Sequence, residues 1–254
     1  MKLGVIPTLA TRDPATAELA NAAIRYEQEG FDSLWVLQTL GRGFMMPDPF
    51  LSLATFSAVT KRISLGSAVI QLPHYGVGDM AHKLFTLRML AGDRLKIGLG
   101  AGSTPADFQV TGADFDTRFK VFRQRSLELK QVLETGVVND VDLTPWRETL
   151  SSIPLMLGSW GNGVETAARD FSGWIASDNY RTQQEVVTAH ERYRAAGGTY
   201  AVVSTIQITR DMTPDSVAAY LSRYAEAGFD EAVMLFQPGA PASGEVLAAC
   251  SDFR

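Results

Sequence analysis

The sequence predicts an α/β protein folded as a (β/α)8 TIM barrel, on three observations. Short apolar runs recur about every thirty residues, each followed by an amphipathic stretch of helical length. A segment near the start is echoed near the end, as a closed ring of like units requires. The 254 residues also match the usual size of eight strand–helix pairs. An open doubly wound sheet is the alternative architecture.

The strand runs are LGVI (3–6), LWVL (34–37), SLGSAVI (64–70), LKIGL (95–99), IPLML (153–157), GWIA (173–176), YAVVSTIQI (200–208) and EAVMLF (231–236). Counted from their first residues, the early spacings are 31, 30 and 31, and the last is again 31. Asp13-Pro14 pairs an N-cap with proline at N1, and that helix runs to Gly30 as its left-handed stop. Asp48-Pro49 opens a second helix in the same way. A third runs over 77–90 and ends at Gly92. A fourth runs over 117–134, closed by Gly136. Further helices fall at 162–171, 183–196, 214–227 and 242–250. The echo is YEQEGFDSLWVL (26–37) against YAEAGFDEAVML (224–235), in which Tyr precedes Gly by four and Phe-Asp then leads into a strand. The pulse fails only between 99 and 153. There the fourth helix and a loop at 136–152, with Pro145 and Trp146, read as an excursion from a single domain spanning 1–254.

Composition narrows the function. Apolar residues are 46% and charged residues 20%, which excludes a disordered tail, a collagen-like repeat and a disulfide scaffold. Lys and Arg number 23 against 28 acidic residues, a net charge of −5 with no basic run, so neither nucleic acid nor an anionic membrane is expected as a partner. No stretch approaches about 18 uninterrupted apolar residues, the length of a membrane span. The single cysteine, Cys250, reads as an inert helix residue. One thiol cannot close an intrachain disulfide, and MKLGVIPT is not a signal peptide, so the cytoplasm is the expected location.

In a barrel, chemistry sits on the loops after the strands. Here these loops offer Thr8, Gln38, Thr39, residues 71–75, 100–107, 158–163 and 177–180, Thr209 and Gln237. Few ionisable groups of the usual catalytic kinds are among them, which points to chemistry carried by a bound cofactor. Two loops are rich in glycine. GLGAGSTPAD (98–107) has the pattern G-x-G-x-G after the fourth strand, not the dinucleotide fingerprint after the first. Its glycines let backbone approach a flat ligand, and Thr104, Pro105 and Asp107 spell a capping box for a short helix. A ligand-free turn has the same letters. In GSWGNG (158–163), Asn162 reads as an N-cap with Glu165 as its partner. Free amides of Gly161, Gly163 and Val164 would then converge with the Ser159 hydroxyl on an anion site, with an ordinary capped helix start as the alternative. His74, His82 and His190 lack metal-ligand spacing, so no metal is expected. His74, after Leu72-Pro73 at a strand end, is the histidine best placed for function. Lys96 lies near its strand's start, away from the active face. The Met45-Met46 pair either covers an apolar ligand or fills a gap.

Taken together, the chain resembles the bacterial luciferase-like family of flavin- or deazaflavin-dependent oxidoreductases. The segments that carry the likeness are GFDSLWV (30–36), DPFLSLATFSAVTKRISLGSAVIQLP (48–73), LAGDRLKIGLGAG (90–102) and PLMLGSWGNGVETAARDFSGWIAS (154–177). The resemblance implies FMN, or alternatively coenzyme F420, across the strand ends of the barrel. It implies a non-prolyl cis peptide at Ala68-Val69 behind the ring, with Gly100, Ala101, Gly102 and Ser103 along the ring edge. The phosphate would lie at Gly158, Ser159, Gly161, Asn162, Gly163 and Val164. It further implies a reduction or oxygenation of a small organic substrate, with O2 or a flavin reductase as a partner and a homodimer as the family habit. Many members carry Asp-His after the second strand; this chain has Gln38-Thr39, which with His74 are the candidate catalytic side chains. A non-catalytic flavin holder or partner subunit on the same barrel is the alternative reading.

Overall fold

Alternating apolar runs and capped amphipathic stretches give alternating strands and helices in the computed structural model, which describes residues 1–7, 18–43, 46–143 and 152–254. The strands are β1 (Lys2–Val5), β2 (Ser33–Val36), β3 (Ser64–Gln71), β4 (Leu95–Gly100), β5 (Leu155–Gly158), β6 (Gly173–Ser177), β7 (Ala201–Ile208) and β8 (Glu231–Phe236). Each pairs in parallel with the next, and β8 pairs with β1. The ring is closed, so the open-sheet alternative is overturned. Each strand lies within two residues of the apolar run that predicts it.

The helices are α1 (Glu18–Glu29), α2 (Pro49–Val59), α3 (Val77–Ala91), α4 (Pro105–Thr111), α5 (Arg118–Thr135), α6 (Gly163–Asp170), α7 (Gln183–Ala195), α8 (Pro214–Glu226) and α9 (Ser243–Ala249). Their starts follow their caps. Asp48 Oδ1 accepts from the Phe50 and Leu51 amides at 2.9 and 3.0 Å, and Thr182 with Glu185 forms a full capping box. Thr8, Asp13-Pro14, Met45, Pro145 and Trp146 lie outside the described residues. Within the excursion, Val137–Val138 and Val141–Asp142 form a small antiparallel hairpin. Its turn residues, Asn139 and Asp140, both have left-handed φ, as a two-residue turn demands.

The echo in the sequence is a repeated structure. Phe31 N–H donates to Tyr26 O and Phe229 N–H to Tyr224 O, both at 3.1 Å, around Gly30 and Gly228 at positive φ. The Tyr26–Phe31 and Tyr224–Phe229 rings meet edge-on at 5.4 and 5.3 Å. The Asp that follows each Phe accepts the amide of a residue on the preceding strand: Leu3 N–H to Asp32 and Ala201 N–H to Asp230.

Two apolar cores result. One fills the shell between strands and helices. The other fills the bore, with Ile6, Trp35, Met156, Ile175, Val202, Val233 and Leu235. At the strand starts the bore is crossed by a buried ion pair between Lys96 on β4 and Glu231 on β8, 2.8 Å apart. Glu231 also accepts from Ser33 Oγ, Trp35 Nε1 and Tyr200 OH. Burial works against this carboxylate. The neighbouring Lys96 ammonium, with the hydrogen bonds from Lys96, Ser33 and Tyr200, nevertheless holds its pKa below the ordinary range. Lys96 is thus a bracing residue, far from the mouth. Among the described residues, no helix is long and apolar enough to cross a membrane.

Two ladders slip by one residue. Between Ser67 and Ile70, β3 takes three steps where β4 takes two, and β7 does the same against β8 between Val203 and Ile206. Such bulges redirect side chains. The first contains the cis peptide Ala68-Val69, at the position the family resemblance implies.

Candidate active site

At the strand ends one continuous cleft, about 2690 Å³ in all, joins Ala68 and Val69 to Gly100, Ala101, Gly102 and Ser103 and to residues 158–163. That exceeds the few hundred to about 1,000 Å³ of an ordinary ligand pocket. Its floor is built by absence. A Cβ on Gly100 would lie 2.5 Å from Val69 Cγ2, and one on Gly158 would lie 2.4 Å from Val69 Cγ1. The Val69 side chain is therefore seated between two bare backbones, giving a low apolar platform. Leu37, Leu157, Ile175, Leu235 and Phe236 continue the apolar lining.

Gln38 and Gln71, which also line the cleft, belong to a polar network that reaches Tyr75 and Asp107. Gln38 Nε2 donates to Tyr75 OH at 2.6 Å, and Gln38 Oε1 accepts from Gln71 N–H at 2.7 Å. Gln71 Nε2 donates to Asp107 Oδ2 at 2.9 Å. Gln38 is 7% exposed with both ends of its amide engaged, so it positions β2 against β3. Burial and the Asp48 carboxylate push the Tyr75 phenol up to about 12, so it stays a neutral partner. Thr39 lines the cleft, and its Oγ1 is buried with no hydrogen-bond partner among the described residues. A buried orphan hydroxyl beside a cleft is a ready ligand contact.

Asp107 corrects the expected capping box. Thr104 makes no side-chain cap, and the Asp107 carboxylate turns inward. It accepts from Leu40 N–H and Gly41 N–H at 3.0 and 2.9 Å, and pairs with Arg42 at 3.3 Å. Burial raises its pKa, but the donors Gly41, Gln71 and Leu40 outweigh burial and hold it below the ordinary carboxylate range. Asp107→Ala strands those donors, so the expected cost is about 2–3 kcal/mol, or a Tm drop of roughly 4–12 °C. The folded pKa is depressed, so this stabilisation is full above the ordinary carboxylate pKa. It fades as pH falls through the folded value, where the melts of variant and parent should converge.

The loop at 158–163 also differs from expectation. Gly163 N–H donates to Trp160 O and Val164 N–H to Gly161 O, so neither amide is free for an anion. Ser159 Oγ donates to Gly163 O at 2.8 Å. Asn162 makes no side-chain cap, because the turn holds it in helical backbone, and Glu165 bonds Arg192 instead. Val164 is fully buried in the outer core. The whole loop 158–163 lines the cleft, with Ser159 and Asn162 as its uncharged polar side chains and Trp160 under the Arg181 guanidinium at 4.7 Å.

His74 does not line the cleft. Its ring nitrogens lie 3.3 Å from Gln71 Oε1 and 2.9 Å from Thr111 Oγ1, and its ring packs on Phe108. Burial, only partly countered by Asp107, lowers its pKa, so the ring is a neutral brace under α4.

Of the far wall, the sequence points to residues 177–180 and Gln237 but not to the β7 side chains between them. Ser204, Thr205 and Gln207, all on β7, line the cleft beside Ser177, Asn179 and Gln237. They are hidden inside a strand run; the available signal was the polar pair Ser204-Thr205 interrupting YAVVSTIQI.

Against known proteins, the family model for luciferase-like monooxygenases matches residues 3–238. A curated relative, 4-hydroxyprotoasukamycin monooxygenase of Streptomyces nodosus subsp. asukaensis, is 35% identical over 124 residues, 48% of this chain and 33% of its own length. The match therefore spans about a third of that relative. Two solved structures share the fold. An F420-dependent secondary alcohol dehydrogenase in complex with an F420-acetone adduct has a TM-score of 0.75 at 15% identity, covering 98% of this chain and 97% of its own. The oxygenating constituent of 3,6-diketocamphane monooxygenase of Pseudomonas putida, in complex with FMN, has a TM-score of 0.67 at 17% identity, covering 88% and 71%. Neighbours of this fold thus use either FMN or F420.

Proposed function

The chain belongs to the luciferase-like monooxygenase family, and from that premise we propose that it binds reduced FMN over the Val69 platform and uses it to oxygenate a small organic substrate. The observation that carries this reading is the seat of Val69 between Gly100 and Gly158, a flat apolar rest that either Cβ would destroy. A planar ring fits that rest, and the same cleft continues to Ser159, Gly161 and Asn162, where a phosphate would lie near Arg181.

When bound, reduced FMN supplies the electron pair and the reaction with O2. The chain's own part is to bind, orient and exclude water. Ala68 and Val69 would support the ring face, and the backbone of residues 100–103 would line its edge. The Thr39 hydroxyl, buried without a partner among the described residues, would meet a polar atom of the ring or substrate. Leu157, Ile175, Leu235 and Phe236 keep the reacting space apolar. FMN is favoured over F420 by one feature: where many family members carry Asp-His, the Gln38 amide is locked to Tyr75 and Gln71 and offers no proton. Titration with FMN and with F420, followed by fluorescence, tests this. Micromolar FMN binding with weaker F420 binding is expected; no FMN binding would overturn the reading.

A further inference from the structure

The bulge that carries Val69 has a counterpart. In the ring order, β7 stands four strands from β3 in either direction. The extra residue on β7 leaves Thr205 at φ +58, a left-handed conformation that a β-branched residue adopts only under constraint. Thr205 and Val69 therefore line one cleft from opposite sides of the mouth.

Around Thr205 the side chains of Ser177, Asn179, Ser204, Gln207 and Gln237 are polar and uncharged, and the neighbouring Arg181 guanidinium is drawn over Trp160, where the flavin reading gives it to the phosphate. Thr205 Oγ1 lies 2.8 Å from Ser177 Oγ and donates to Ser204 O at 2.7 Å. Gln237 Nε2 donates to Gln207 Oε1, and Gln207 Nε2 donates to Asn179 Oδ1 at 3.2 Å. Among the described residues this chain of carboxamides ends in unused capacity: the Asn179 Nδ2 donors at one end and the Gln237 Oε1 acceptor at the other. An anionic substrate held between Asn179 and Gln237 would give up water for carboxamides and hydroxyls that carry no counter-charge. A neutral one carrying a carbonyl and a hydroxyl would satisfy both ends.

We propose that this wall selects the substrate, and that the substrate class is an uncharged hydroxyketone. Asn179 Nδ2 donates to its carbonyl, Gln237 Oε1 accepts from its hydroxyl, and Thr205 fixes the height of the wall. The assignment rests on the flavin reading for the opposite face. Its test uses protein loaded with FMN at pH 7 and two bicyclic probes of similar size, neutral 5-hydroxy-1-tetralone and anionic 5-hydroxy-1-naphthoate. Each is titrated by calorimetry and by the absorbance change of bound FMN. The tetralone should bind at least tenfold more tightly than the naphthoate. Gln207→Glu, which places a charge in the middle of the relay, should weaken the tetralone at least tenfold and leave the Kd for FMN within twofold. Equal or tighter naphthoate binding, no tetralone binding, or a Gln207→Glu protein that holds the tetralone as before overturns the proposal. Tetralone selectivity seen by calorimetry in a protein that fails to bind FMN would keep the wall and discard the flavin reading.

Discussion

Lys96→Met should be the most destabilising single change in this barrel. It removes the counter-charge from Glu231, which is fully buried in the bore. Breaking one side of a buried pair costs about 3–5 kcal/mol, because the remaining charge is left unsolvated. For a chain of this size that is a Tm drop of roughly 6–20 °C. The double variant Lys96→Met with Glu231→Leu should recover most of the loss, since an apolar pair removes the stranded charge along with its partner. The pH dependence has a definite sign. The folded pKa of Glu231 lies below its ordinary value, so its contribution is complete above the ordinary glutamate range and fades as pH falls through the folded value. In the Met variant that acid-side loss should be smaller. Thermal melts from pH 3 to pH 7 check both points; a single variant melting within about 2 °C of its parent would show that the pair braces nothing.

Gly158→Ala should have the largest effect on ligand binding. Its new Cβ meets Val69 Cγ1 at 2.4 Å, and Gly100→Ala meets Cγ2 at 2.5 Å. Neither contact is tolerable, so Val69 must rise into the cleft and the platform is lost. A loss of FMN affinity of tenfold or more is expected, about 1.4 kcal/mol per tenfold. Val69→Ala added to Gly158→Ala removes the colliding methyls and should restore most of the affinity. A Gly158→Ala protein that binds FMN like its parent would remove the platform from the account, as would a double variant that binds no better than the single one.

The eight strands were legible because the barrel imposes a strict spacing on apolar runs, and the echo at Tyr26 and Tyr224 was legible because a left-handed glycine and a following Phe-Asp have strong local preferences. The glycine loops were legible as loops for the same reason. What they bond was not. Asp107 and Glu165 both stand where a capping box would use them, yet each is taken by a group distant in sequence: the Leu40 and Gly41 amides in one case and Arg192 in the other. A charged donor or an orphan amide from another element outcompetes a local cap, and single-sequence patterns do not show which elements meet. Gln38 looked free for chemistry until its two partners were visible. Thr205 escaped notice because a one-residue bulge, set by the neighbouring strand, exposes it.

The plugged lower end of the bore also governs traffic. With Trp35 and Glu231 filling the base, the described residues close the bore from below, and the cleft has its doorway at the strand-end mouth. In the proposed function the flat carrier would lie against the Val69 side and the smaller guest would share the same doorway. Spent product still in that doorway would shut out the next guest, so on the proposed function turnover would slow by simple competition as product accumulates.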